Sequence, residues 1–145
     1  MLHFSPRILL VIAAVILPVA SVPASGVAVL ELFTSEGCSS CPPADRVLSL
    51  IIAKGDPGVM AVSWHVDYWN RLGWIDPYSR KEISSRQEDV CRSLQSPQLY
   101  TPQAVVNGRV HFVGSDLDRT RSAIAEAAAN TPAYRVNLTV GNRNK

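Results

Sequence analysis

Charge of one sign is scarce in this chain. Its 145 residues carry 14 Lys plus Arg against 12 Asp plus Glu, a formal net charge of +2. So small an excess does not draw a polyanion, and no basic cluster is interleaved with aromatics, so nucleic acid is excluded as an expected partner. Apolar runs are short. The N-terminal one, Ile8 to Leu17, cannot span a bilayer. Cysteines are few and odd in number, at 3, so one thiol is left over from any single pair. Length leaves room for one domain.

The N-terminus reads as a leader. Arg7 gives a basic start, Ile8 to Leu17 an apolar core, and Val22-Pro23-Ala24 a cleavage site with small residues, which leaves Ser25 first in the mature chain. An uncleaved membrane anchor is the rival reading, disfavoured by the short apolar core. Export to the periplasm or outside the cell is therefore expected, with no stable membrane span once the leader is cleaved. In an oxidising compartment a cysteine pair tends to be a disulfide.

What is present centres on Glu31-Leu-Phe-Thr-Ser-Glu-Gly-Cys-Ser-Ser-Cys-Pro-Pro-Ala-Asp45. Val27 to Phe33 predicts a buried strand and Thr34 to Gly37 a turn. Ala44, Val47, Leu48 and Ile51 recur at helical spacing up to Lys54-Gly55. Pro42 and Pro43 are tolerated in a first helical turn, whose N–H groups lack partners anyway. The helix is expected to start near Ser39 or Ser40, with Cys38 at its mouth and Cys41 a turn deeper. A thiolate is favoured by the positive end of a helix, so Cys38 is expected to titrate below a free cysteine. Strand, turn, Cys-x-x-Cys and helix form a thioredoxin-like redox signature. Cys91 reads as a small buried apolar residue, the sharper alternatives being a third redox partner or an intermolecular bridge.

Val59 to Trp64 is a second strand-length apolar run. With the intervening helix it predicts a βαβ unit, so that Cys38 and His65-Val-Asp67 emerge at the same edge of the sheet. Tyr68, Trp69, Trp74 and Tyr78 follow in a loop and either roof a cleft or fill core beneath it. Ser79 to Ser96 predicts an amphipathic helix whose Arg80, Lys81, Glu82, Arg86, Glu88 and Asp89 are solvated. Gln103 to Val106 and Arg109 to Val113 predict a hairpin about Asn107-Gly108. Pro102 enters it, and a proline entering a strand beside a redox site is expected to be cis. Asp116 to Ala129 predicts a last helix, capped by Ser115 or Asp116 with Ile124, Ala127 and Ala128 inward.

This order, with Cys38-Ser-Ser-Cys41 after the first strand and Thr101-Pro102 before the hairpin, resembles the thioredoxin superfamily. The blocks Phe33-Thr-Ser-Glu-Gly-Cys-Ser-Ser-Cys-Pro-Pro-Ala-Asp45, His65-Val-Asp-Tyr-Trp69, Leu72-Gly-Trp-Ile-Asp-Pro77, Tyr100-Thr-Pro-Gln103 and Val113-Gly-Ser-Asp116 are similar to an exported bacterial family catalogued as domain of unknown function 1223. The resemblance runs from about Val27 to Ala129. It implies an α/β, thioredoxin-like fold: a central mixed sheet with parallel strands plus a C-terminal antiparallel hairpin, flanked by helices. It implies Cys38 as exposed nucleophile, Cys41 as resolving cysteine and Pro102 as the cis-proline facing them. Glu31 is either the buried acid of that superfamily or an outward strand carboxylate. Residues 1–24 are thus read as signal peptide and 25–130 as a thioredoxin-like domain. Residues 131–145 are a tail, either a natural short form or the start of a truncated β extension, in which Tyr134 to Val140 alternates like a strand.

Three functions compete. The first is a thiol–disulfide oxidoreductase acting on protein thiols or disulfides, with no cofactor beyond the redox-active pair. Thr101 would present its backbone to substrate, and the redox direction stays open. The second is a copper or zinc protein using Cys38, Cys41 and His65, with Asp67 orienting His65; a plain hydrogen-bonded pair of His65 and Asp67 is the blander alternative. The third is a binding module with a structural disulfide, using Tyr68, Trp69 and Trp74.

Overall fold

The computed structural model describes residues 26–130. The expected signal peptide over 1–24 and the tail over 131–145 lie outside the described residues. Alternating burial sets the architecture. Along β1 (Ala28–Thr34), Leu30 and Leu32 enter one apolar cluster while Phe33 enters another. A strand whose successive side chains point to opposite faces, and which is buried on both, belongs at the centre of a sheet. There it sits: β1 pairs in parallel with β2 (Val59–His65) and antiparallel with β3 (Gln103–Val106), which pairs antiparallel with β4 (Val110–Val113). The order across the sheet is β2-β1-β3-β4.

Helix α1 (Pro42–Lys54) buries Ala44, Val47, Leu48 and Ile51, and α3 (Leu117–Ala129) buries Thr120 and Ala123; both lie on the Leu30 and Leu32 face. Helix α2 (Lys81–Ser93) covers the opposite face, where Ile83, Val90 and Leu94 pack around Phe33, Val66 and Val105. The result is the expected mixed sheet with one parallel pair, a C-terminal hairpin and flanking helices. Asn107 and Gly108 turn the hairpin at φ 50° and 60°, backbone values that glycine accepts freely and asparagine tolerates. Asp116 caps α3 by accepting from the Arg119 N–H at 2.9 Å. Among the described residues no helix is long and apolar enough to cross a membrane.

Two helices start later than the sequence predicts, each for a hydrogen-bonding reason. Pro42 and Pro43 have no N–H, so nothing donates to the carbonyls of Cys38 and Ser39 in helical register. The first intrahelical bonds run to the Cys41 carbonyl, from the N–H groups of Ala44 at 2.8 Å and Asp45 at 3.1 Å. Cys41, not Ser39 or Ser40, is therefore the N-cap, and Cys38 stands in the turn before it. Helix α2 begins at Lys81, not Ser79, because Ser79 is held in a turn: its N–H and hydroxyl both donate to the Asp76 carbonyl. It ends at Ser93, ahead of Gln95 at φ 53°.

Candidate functional site

The topology gathers three segments. Parallel β1 and β2 end together, Thr34 opposite His65. Antiparallel β3 begins where β1 ends, Gln103 opposite Phe33. The cysteine turn after β1, the loop after β2 and Thr101–Pro102 before β3 therefore meet at one edge.

Cys38 and Cys41 form a disulfide with Cα atoms 5.4 Å apart. The Thr101–Pro102 peptide is cis, and Pro102 is buried. The Thr101 hydroxyl donates to Cys38 Sγ at 3.3 Å. Ser40 Oγ lies 3.5 Å from the same sulfur and donates to the Thr101 carbonyl at 3.5 Å. The expected exposure of Cys38 is not found: Cys38 is 2 % exposed and Cys41 0 %. The Thr101 and Ser40 hydroxyls lie against Cys38, and Cys41 is closed in by the first turn of α1. Of the two, Cys38 keeps the little access there is.

The loop after β2 is anchored differently from the sequence expectation. His65 does not pair with Asp67. Its Nδ1 lies 2.6 Å from Asp76 Oδ2, while Asp67 accepts the Ser84 hydroxyl of α2 and donates its N–H to that oxygen. Residues two apart share a face only while the strand continues; β2 ends at His65, so Asp67 lies beyond the ladder and takes a different partner. Asp76 is fully buried and binds three segments at once. Oδ2 also accepts from the Glu36 N–H of the cysteine turn at 2.9 Å, and Oδ1 from the Tyr78 N–H at 2.9 Å. Burial alone would raise its pKa; the Glu36 N–H, the His65 ring and the Tyr78 N–H outweigh that and hold the carboxyl below the usual value.

The four aromatics divide between the two expected roles. Tyr68 and Trp69 pack on the Phe33 cluster, whereas Trp74 and Tyr78 are exposed. Trp69 Nε1 donates to Thr101 Oγ1 at 2.8 Å, and Trp74 Nε1 to Glu36 Oε2 at 3.0 Å. A Cβ on Gly37 would stand 3.1 Å from the Trp69 Cβ, so the cysteine turn and Trp69 meet closely because residue 37 has no side chain. Leu72 and Ile75 are exposed beside Trp74 in the same loop.

Glu31 is the buried carboxylate, not the outward one. It accepts from Trp64 Nε1 at 2.9 Å and from Arg86 Nε at 2.8 Å, beneath α2. Arg86 is thus more than a solvated charge. Its guanidinium reaches inward to Glu31 and lies 5.7 Å from the Trp64 ring centre. Cys91 is buried and free, as the blander reading expects. It belongs to a polar network that the sequence reading missed: Gln87 Nε2 donates to Gln103 Oε1 at 2.8 Å and to the Tyr100 carbonyl at 2.9 Å, Tyr68 donates to Gln87 Oε1 at 3.2 Å, and Gln103 Nε2 reaches Cys91 Sγ at 3.4 Å. Burial raises the pKa of the Tyr68 hydroxyl despite its hydrogen bonds with Thr101 and Gln87. One signal was available: Ile83, Gln87 and Cys91 recur every four residues, which turns Gln87 inward. Among the described residues no three His, Cys, Asp or Glu side chains are grouped to hold a metal ion. Cys38, Cys41 and His65 share an edge, but His65 Nδ1 is given to Asp76.

A profile described as "Protein of unknown function (DUF1223)" matches residues 29–145. The chain belongs to the DUF1223 family. A crystal structure of an Agrobacterium tumefaciens protein is similar to this DUF1223 chain at 47% sequence identity and a TM-score of 0.65. The similarity covers 70% of this chain and 45% of that one, so the chain spans less than half the length of that relative. No curated protein matches.

Proposed function

We propose that this DUF1223 chain is an exported thiol–disulfide oxidoreductase acting through Cys38 and Cys41. One observation carries the reading: the pair closes at the sheet edge where the Thr101 hydroxyl, ahead of Pro102, donates to Cys38 Sγ. A donor aimed at Cys38 Sγ stabilises the thiolate that this sulfur becomes when it leaves the mixed disulfide. The leader-like Arg7, Ile8 to Leu17 and Val22-Pro23-Ala24 support a periplasmic or secreted setting.

The exchange proceeds by two displacements. A substrate thiolate attacks Cys38 Sγ. The Cys38–Cys41 bond breaks and its electron pair leaves on Cys41, giving a mixed disulfide. The second substrate thiolate then attacks the substrate sulfur, and Cys38 departs as a thiolate. The substrate dithiol has lost two protons and two electrons to the pair; the reverse order reduces a substrate disulfide. Burial of Cys41 favours attack at Cys38. Thr101 contributes its hydroxyl, while the backbone at Thr101 and the exposed Leu72, Trp74, Ile75 and Tyr78 suit an extended polypeptide substrate. His65 and Asp76 brace the cysteine turn through Glu36, and Glu31 stabilises the strand beneath.

The test is trapping. Cys41→Ser should accumulate a mixed disulfide when its Cys38 thiolate attacks a disulfide-bonded peptide, whose other sulfur leaves as a thiolate, and Cys38→Ser should not. A protein carrying both substitutions that oxidises or reduces substrate as fast as wild type would overturn the reading.

A further inference from the structure

We infer that Trp69 is a positioning residue for the Cys38–Cys41 pair: its indole N–H fixes the Thr101 hydroxyl so that the hydroxyl proton points at Cys38 Sγ. The inference rests on the oxidoreductase reading and adds to it the group that sets the electronics of the attacked sulfur.

The argument is one of donor and acceptor counting. An indole Nε1–H can only donate, whereas a threonine hydroxyl has one proton and two lone pairs. With Trp69 Nε1 at 2.8 Å, Thr101 Oγ1 is an acceptor on that side, and its own proton must go elsewhere. Cys38 Sγ lies 3.3 Å from the same oxygen and accepts that proton. The rival acceptor is the Tyr68 hydroxyl, but a thiolate accepts a hydrogen bond more strongly than a neutral phenol. Tyr68 donates its own proton to Gln87 Oε1 at 3.2 Å, which leaves its oxygen open as an acceptor, so the preference for Cys38 rests on the 3.3 Å contact and on the charge of the thiolate. Trp69 is placed for this by both sides. The ring packs on the Phe33 cluster, and its Cβ lies against Gly37 of the cysteine turn.

The relay also answers a question left by the helix start. Cys41, not Cys38, is the N-cap of α1, so Cys38 lacks the first claim on the positive end of the helix. A directed hydroxyl is a second source of anion stabilisation, and it acts on Cys38 alone. The charged groups around the turn are Glu36 within it, Asp45 in the first turn of α1, bonded to Thr34, and the His65–Asp76 pair across Glu36. None is altered by the substitutions below.

The experiment reads the titration of Cys38 in the reduced protein. Alkylation is followed against pH, with mass spectrometry separating Cys38 from Cys41 and Cys91. Trp69→Phe should move the Cys38 midpoint up by about one pH unit, so that alkylation below both midpoints falls about tenfold. Thr101→Val should move it at least as far, Thr101→Ser should leave it near wild type, and Trp69→Phe added to Thr101→Val should move it no further. An unchanged midpoint in Trp69→Phe, or shifts that add in the double variant, would overturn the inference. A second readout needs no substitution: in reduced wild-type protein the Trp69 indole N–H resonance should titrate with the Cys38 midpoint, and a resonance indifferent to that midpoint counts against the relay. Neither readout requires turnover. A coupled titration in a protein that exchanges no disulfide would uphold the relay and remove the oxidoreductase reading; normal turnover with an uncoupled titration would do the reverse.

Discussion

Leu30 and Leu32 leave one side of β1, and Glu31 and Phe33 leave the other, and the two faces they enter are held together by different chemistry. Under α1 and α3 the contacts are apolar: Leu30, Leu32, Ala44, Leu48, Ile51, Ala104, Val106 and Ala123 form one buried cluster. Under α2 the apolar cluster is small, and buried Glu31, Gln87 and Gln103 are satisfied by Arg86, Trp64, Tyr68, Cys91 and one another. The first face gains from area removed from water and demands no particular orientation. The second gains little net energy per hydrogen bond, but each group left unpaired there costs its full desolvation. Such a face is intolerant of disorder, and it lies under the segment that carries Tyr100, Thr101 and Pro102. Gln87 holds the Tyr100 carbonyl one residue before the threonine that touches Cys38. The apolar face makes the fold; the polar face holds the loop at the disulfide in one place.

The sharpest way to break this contrast is to make a hole in the apolar face. Leu32→Ala should lower unfolding free energy by about 2–5 kcal/mol, measured by urea denaturation. The Cys38 midpoint of the folded protein should barely move. A shift in that midpoint as large as that of Thr101→Val would mean that the two faces are not separable.

A smaller effect is expected from the polar face. Arg86→Met leaves Glu31 buried with only Trp64 as partner. Arg86 is 49 % exposed in its side chain, so water replaces part of what is lost, and the cost should be about 2 kcal/mol. Replacing Glu31 by Gln in the same protein should recover part of the loss, because the amide carries no charge to strand. If the single change costs nothing, water replaces Arg86 fully at Glu31 and this face does not depend on the ion pair.

The smallest effect is one of pH. Asp76 has a folded pKa below its unfolded value, which is about 3.9. Its contribution is therefore complete above that value and drains away as pH falls through the lower folded pKa. Wild type should lose stability on acidification through that window more steeply than Asp76→Asn, and the two curves should run parallel above it. Parallel curves throughout would show that the Glu36, His65 and Tyr78 contacts do not depress the carboxyl.

The lesson for reading sequence lies in the kind of signal each feature sends. The strands, the three helices and the hairpin were legible, because burial on one face imposes a period of two or of 3.6 on neighbouring residues. The cysteine pair was legible because its partners are four residues of continuous chain. Even the meeting of Cys38, His65 and Thr101 at one edge follows from the parallel and antiparallel pairing that those periods imply. Helix starts were less legible. They depend on which carbonyls find an N–H, as Pro42, Pro43 and Ser79 show.

Partnerships between polar groups were not legible. His65 chose Asp76 over the nearer Asp67, Trp69 found Thr101 across 32 residues, and Arg86 reached Glu31 across 55. By itself the sequence determined the elements, their order and the position of the disulfide, since hydrophobic burial acts on patterns and is nearly blind to direction. Only the tertiary structure decided which donor faces which acceptor, because a hydrogen bond demands an atom at about 3 Å along a particular direction, and that condition exists only once the chain has closed on itself.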